Sequence, residues 1–126
     1  MKVFTIKQAI NLAKTLVVDW DKEQTIGIYL NSDNVVVHKQ LISLGTLDAN
    51  LIHPREVFRP AIKYASVGVV LLHNHPSGCV IPSKDDGTYT NQITIAGEFI
   101  GIKLIDHIIF TRGSKFYSFN REIDKI

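Results

Sequence analysis

Thiols are nearly absent from this chain: one cysteine, Cys79, excludes an intramolecular disulfide framework and leaves no cysteine pair to hold zinc. Charge of one sign is just as scarce. Lys and Arg number 14 against 12 for Asp and Glu, and the resulting +2 is too slight to announce a nucleic-acid partner. There is neither an apolar run of membrane-spanning length nor a signal-peptide pattern, so the expected compartment is the cytoplasm, with no membrane partner. No repeat, low-complexity tract or linker breaks the sequence, and residues 1–126 are expected to form a single domain. What remains is 45% apolar content, on a chain long enough to bury roughly two-thirds of the surface it exposes when unfolded.

The pattern along the chain alternates helical and extended signals. Thr5 with Gln8 spells a capping box, followed by Ile6, Ile10, Ala13, Leu16 or Val17, and Trp20 at helical spacing. Acidic Asp19, Asp21 and Glu23 surround a turn; Gln24 to Leu30 (QTIGIYL) reads as a strand, and Asn31 to Asn34 as a hairpin turn into a second strand, Val35 to Ile42. Gly45 to Asn50 has loop composition. Pro54 then opens a helix with Glu56 in its first turn and Val57, Phe58, Ala61, Ile62 and Ala65 as its apolar face. Val67 to Leu72 (VGVVLL) has the continuous β-branched character of a strand buried on both sides. A third helix is predicted from Ser83 to about Ile100, stopped by Gly101, with Ile93, Ala96 and Ile100 as its buried stripe. Two strands end the pattern, Ile102 to Phe110 and Lys115 to Phe119. The order α-β-β-α-β-α-β-β implies an α/β fold, a mixed β-sheet with helices on both faces, and ligands on such sheets bind beyond strand ends. Hairpin strands at the ends of the sheet could leave an edge able to add a peptide strand.

The stretch from His73 to Asp86, HNHPSGCVIPSKDD, concentrates the chemistry. A strand through Leu72 that persists for three residues points His73 and His75 one way and Asn74 the other. Pro76, Ser77, Gly78 and Pro82 then force the chain to double back. Ser83 with Asp86 has capping-box spacing, which places Asp86 in the first turn of the helix. That carboxylate can serve the helix end alone, or it can face a cation held by the two histidines. The second reading gives two nitrogens, one oxygen and an open fourth position, the pattern of a catalytic zinc. Capping and packing give no reason for two same-face histidines beside it.

His73-x-His75, the stretch Pro76 to Pro82, then Ser83-x-x-Asp86 is similar to the JAMM (MPN-plus) metalloprotease signature. His53-Pro-Arg-Glu-Val-Phe58, the HNHPSG run from His73 to Gly78, Pro82-Ser83 and Asp106-His107-Ile-Ile109 resemble the RadC branch of that family, over about Asp19 to Phe119. The resemblance implies a JAMM/MPN, cytidine-deaminase-like architecture and a zinc-dependent hydrolase of amide or isopeptide bonds acting on a peptide or protein substrate. It implies one zinc ion (Zn2+) on His73, His75 and Asp86, with Ser83 stabilising the oxyanion and an early glutamate, Glu23, as general base. The chemistry stands independently of the name: zinc lowers the pKa of water from about 15.7 to about 7, a carboxylate accepts the proton, and a hydroxyl supports the oxyanion. Glu56 is the rival base, although a first-turn helix position already explains it. Asp85 competes with Asp86, and the spacing from Ser83 favours Asp86.

The chain also departs from the RadC pattern. Cys79-Val80-Ile81 replaces an Asp-Pro-Thr-like stretch, and Cys79 is expected to be a small packed residue rather than an additional ligand. Longer RadC proteins carry a helix-hairpin-helix-type segment ahead of this domain, so a DNA-binding role resting on that segment is not carried over. A competing function is a non-catalytic, DNA-repair-associated accessory domain, and a third is a nuclease. Contiguous His73-Asn74-His75 argues against an HNH nuclease, whose residues are dispersed over a ββα unit, and the deaminase Pro-Cys-x-x-Cys and the His-Glu-x-x-His helix are absent. His107 follows an apolar strand and could orient a neighbour by a hydrogen bond, but a buried, satisfied structural histidine is the expectation.

Overall fold

Local signals set the first helix of the computed structural model, which describes residues 2, 5–45 and 52–120. In α1 (Ile6–Lys14) the Thr5 hydroxyl accepts from the Gln8 N–H at 3.0 Å, and the Gln8 side chain accepts from the Thr5 N–H at 3.1 Å. The helix stops at Lys14, so Leu16, Val17 and Trp20 do not extend its face as the spacing predicts. They pack on the same core from irregular chain. The cause is Gln24, whose buried amide accepts from the Val18 N–H at 2.6 Å and donates to the Asp19 carbonyl at 2.6 Å. These backbone groups are satisfied outside a helix.

Strand β1 (Gln24–Leu30) turns through Asn31, whose side chain accepts from the N–H of Asp33 at 2.9 Å and of Val35 at 3.0 Å. It pairs antiparallel with β2 (Val36–Leu44). Gly45 follows as a bend, and the rest of the expected loop, Thr46 to Asn50, lies outside the described residues. Helix α2 (Pro54–Lys63) starts at Pro54, capped by the His53 imidazole, which accepts from the Arg55 N–H at 3.1 Å. Its buried face is Val57, Phe58, Pro60 and Ala61. Ile62, expected on that face, is 69% exposed, and Ala65 lies past the helix at φ 53°. One step of about 100° beyond Ala61 takes Ile62 off the sheet.

The sheet is built around β3 (Gly68–Asn74), buried throughout. It begins one position later than Val67, which is half exposed, and runs on through His73 and Asn74. On one side it pairs antiparallel with β1, Thr25 opposite His73; on the other it runs parallel to β4 (Lys103–Phe110), Leu71 opposite His107. A short β5 (Phe116–Ser118) pairs with β4, giving the order β2-β1-β3-β4-β5. Among the described residues, β2 and β5 are the sheet edges.

The parallel step needs a crossover, which α3 (Lys84–Ile100) supplies. Ser83 caps it and Gly101 ends it in the left-handed conformation, φ 75°. Its buried positions are Asp86, Tyr89, Thr90, Ile93 and Gly97, whereas Ile100 is 49% exposed and Ala96 only partly covered. Much of the inward stripe is polar, which is why apolar periodicity locates only Ile93 correctly. Helices cover both sheet faces, as the element order implies. α1 packs on Ile26, Ile28, Leu30, Val70, Leu72, Ile108 and Phe110; α2 and α3 pack with Tyr29, Val69, Leu71 and Leu104. An irregularity between Val69 and Val70 leaves Ile105 as an extra residue on β4. Leu104 and His107 therefore share the α3 face, although strict alternation would separate them. Among the described residues no helix is long and apolar enough to cross a membrane.

Candidate metal centre

The end of β3 meets the start of α3, and four polar side chains converge there. His73 Nε2 and His75 Nε2 stand 3.1 Å apart. Asp86 addresses both: Oδ1 lies 3.2 Å from His73 Nε2 and Oδ2 lies 3.3 Å from His75 Nε2. Glu23 Oε1 is 3.7 Å from His75 Nε2, and Glu23, His73 and His75 each offer a ligand atom within 4.8 Å of the others. His73 and Asp86 are buried, while Glu23 and His75 are partly open to solvent. The rival Glu56 instead sits on α2 with its carboxylate 3.6 Å from both Arg55 and Arg59. Asp85 is exposed.

Glu23 lies far from the histidines in sequence, and Asn74 draws it in. The Asn74 side chain accepts from the Gln24 N–H at 2.7 Å and donates to the Lys22 carbonyl at 2.9 Å, gripping the backbone on both sides of Glu23. The residue between the two histidines, pointing away from them, thus sets the position of the glutamate. On the other side, Ser83 Oγ accepts from the Asp86 N–H at 3.0 Å, and Asp86 Oδ2 accepts from the Ser83 N–H at 2.8 Å. Asp86 is therefore both the capping-box carboxylate and a neighbour of the histidines; the two sequence readings are compatible. Burial opposes its charge, but the His73 contact and the Ser83 hydrogen bonds outweigh this and hold its carboxyl well below the usual carboxylate range.

Two further residues border the centre, and the first differs from expectation. Cys79 is exposed, so it is not a packed residue, and its carbonyl rather than its sulfur engages the centre, 2.8 Å from His75 Nδ1. His107 is buried, as expected, but it also touches the centre: its Nε2 lies 2.8 Å from His73 Nδ1 and its Nδ1 2.5 Å from Thr90 Oγ. Burial first, then the adjacent His73, hold His107 well below the ordinary imidazole value. Nothing in its strand's pattern marks it out, because the bulge at Ile105 decides which face it takes.

The donor set fits a cation. A carbonyl only accepts, so His75 Nδ1 carries a proton towards Cys79, and in the singly protonated ring Nε2 is then the lone pair. That lone pair faces oxygens of two carboxylates and a second imidazole nitrogen. Such a gathering of electron pairs is relieved by a positive charge among them, a proton or a metal ion. Nitrogen and oxygen donors suit a borderline divalent ion such as zinc. Beside the centre opens a cavity of about 380 Å³, lined by His75 with Trp20, Asp21, Pro76, Arg112 and Lys115 among others.

A family model described as RadC-like JAB domain matches residues 4–124, nearly the whole chain. The chain belongs to that family. It is similar to the UPF0758 protein of Rubrobacter xylanophilus, 44% identical over 102 residues, which cover 81% of this chain and 45% of the relative. The UPF0758 protein of Streptococcus sanguinis is 40% identical over 108 residues, covering 86% of this chain and 47% of the relative. That of Staphylococcus carnosus is 48% identical over 87 residues, 69% of this chain and 38% of the relative. The chain spans about half the length, or less, of these curated relatives. It is thus a RadC-like JAB domain with a five-stranded mixed sheet and a His-His-Glu cluster that could hold a metal ion.

Proposed function

We propose that this RadC-like JAB domain is a cytoplasmic, zinc-dependent hydrolase that cleaves an amide or isopeptide bond in a peptide or protein. The observation carrying this reading is the meeting of His73, His75 and Asp86 within 3.1 to 3.3 Å, with Glu23 on the partly open side. His73, His75 and Asp86 would hold the ion. When bound, zinc would supply Lewis acidity, acidifying water and polarising the scissile carbonyl. Glu23, whose Oε1 lies 3.7 Å from His75 Nε2, would accept the proton of the attacking water and return it to the leaving amine. Ser83 Oγ accepts from the Asp86 N–H and its hydroxyl also bonds the Asp86 carboxyl, and at the helix start that hydroxyl would turn to donate to a developing oxyanion. The cavity beside His75 would give the substrate chain a route to this point.

The exposed thiol of Cys79 and the lack of any disulfide partner support a reducing compartment. Metal content of untagged protein tests the reading first. About one zinc per chain is expected in the wild type, and its loss in His75→Ala. With peptide and isopeptide substrates, Glu23→Gln is expected to keep the metal and lose hydrolysis. No zinc uptake by the wild type, or hydrolysis undiminished in Glu23→Gln, would overturn the reading.

A further inference from the structure

We infer that Thr90 and His107 are positioning residues that hold His73 in the one neutral form whose Nε2 lone pair is available to a metal ion. The inference rests on the metal-centre reading above. Its starting point is a group with a fixed role. The Asp86 backbone carbonyl can only accept, so Thr90 Oγ, 2.8 Å away, donates its single proton there. At its other contact, His107 Nδ1 at 2.5 Å, Thr90 must then accept, which places the ring proton of His107 on Nδ1. A neutral imidazole has one N–H, so His107 Nε2 is bare and accepts from His73 Nδ1 at 2.8 Å. His73 Nε2 is left without a proton, 3.1 Å from His75 Nε2 and 3.2 Å from Asp86 Oδ1.

The opposite polarity is less favourable. A Thr90 proton directed at His107 would leave the Asp86 carbonyl against a bare hydroxyl lone pair in a buried site. Solvent cannot substitute as a partner, because His107 is fully buried and the Phe119 ring stacks on it, centroids 4.9 Å apart and planes 13° from parallel. The relay also closes on itself. Asp86 faces the metal position with its carboxylate and directs the relay with its carbonyl, so the start of α3 defines both the oxygen ligand and the nitrogen lone pair. His75 needs no such chain, since the Cys79 carbonyl in its own loop performs the same task. An outer hydrogen bond that selects the tautomer of a ligand histidine is a general feature of metal sites.

The test uses full-length protein with nitrogen-15 histidines, metal-free, at about pH 9, well above the ordinary imidazole pKa of about 6.5. Long-range proton–nitrogen NMR spectra distinguish Nδ1–H from Nε2–H. His73 and His107 are both expected as Nδ1–H. In Thr90→Val, which nearly preserves shape, His107 loses the acceptor for Nδ1–H and moves its proton to Nε2. That proton faces His73 Nδ1, so His73 is expected to switch to Nε2–H as well. Zinc affinity by competition titration is then expected to fall roughly ten- to a hundred-fold, with Thr90→Ser restoring both readouts. A Thr90 that merely packs would change stability and leave His73 as Nδ1–H. His73 found as Nε2–H in the wild type, or kept as Nδ1–H in a folded Thr90→Val, would overturn the inference. Wild-type tautomers decide the relay even if the valine variant does not fold. A wild type with the expected tautomers that takes up no zinc would instead sink the metal reading.

Discussion

Replacing Asn74 tests how the chain delivers a distant glutamate to its histidines. Asn74 and Gln24 are fully buried, and the Asn74 side chain makes two hydrogen bonds, at 2.7 and 2.9 Å, to backbone groups flanking Glu23. A typical hydrogen bond contributes about 1 kcal/mol net, and a buried polar group left without a partner costs about 1–3 kcal/mol. Asn74→Ala removes both bonds and strands the Gln24 N–H, while the Lys22 carbonyl keeps the Gln24 side-chain amide at 3.1 Å. The expected loss is therefore about 2–4 kcal/mol, read from urea unfolding of metal-free protein. Asn74→Asp is expected to cost as much or more at neutral pH. It keeps the acceptor for Gln24 but turns an anionic oxygen towards the Lys22 carbonyl in a buried site. A loss below about 0.5 kcal/mol for the alanine variant, within the range of ordinary surface substitutions, would refute the clamp.

Other substitutions test separate parts of the structure. Gly97→Ala would favour an exposed helix by about 1 kcal/mol, yet here a Cβ would collide with the Ile102 backbone carbonyl. A net destabilisation of about 1–3 kcal/mol is expected, and a stabilised protein in chemical denaturation would show that α3 does not approach the chain so closely. Asp86 carries a native pKa below its ordinary 3.8, so the unfolded chain binds its proton first and the stability it contributes is complete above that value. Urea midpoints of wild type and Asp86→Asn should therefore differ most near neutral pH and converge as pH falls below about 4. A gap that does not change with pH would contradict this. Tyr29 donates to the Val57 carbonyl at 2.6 Å from a fully buried position. Tyr29→Phe is expected to cost about 1–3 kcal/mol by thermal or urea unfolding, and an unchanged midpoint would show that water satisfies Val57 instead.

Much of this protein was readable because the signals are local. Capping boxes at Thr5–Gln8 and Ser83–Asp86, Pro54 at a helix start, Gly101 at a helix end and the Asn31–Asn34 turn act through bonds between near neighbours, and each is found where its residues stand. The alternation of a strand placed His73 and His75 within reach of a common point by covalent geometry alone. Local patterns failed where the partner was distant. Helical spacing carried the first helix on to Trp20 because it could not register that Gln24 takes the backbone of Val18 and Asp19. Apolar periodicity placed Ile100 inside because the polar residues that α3 buries, Asp86 and Thr90, carry no hydrophobic signal, and placed Ile62 inside although it stands one helical step past the buried face of α2.

By itself, then, the sequence determined the elements, their order and the motif that brings two histidines and an aspartate together, since all of these depend on chain stiffness, capping and short loops. The tertiary structure alone brings Glu23, and not Glu56, beside the histidines, because the pairing of β1 with β3 lets Asn74 clasp the backbone around Glu23. It also gave His107 its place. One extra residue at Ile105 turns that side chain towards α3, where Thr90 and His73 complete hydrogen bonds that join β3, α3 and β4. A bulge and a parallel crossover are consequences of how the whole sheet assembles, and no window of neighbouring residues contains them.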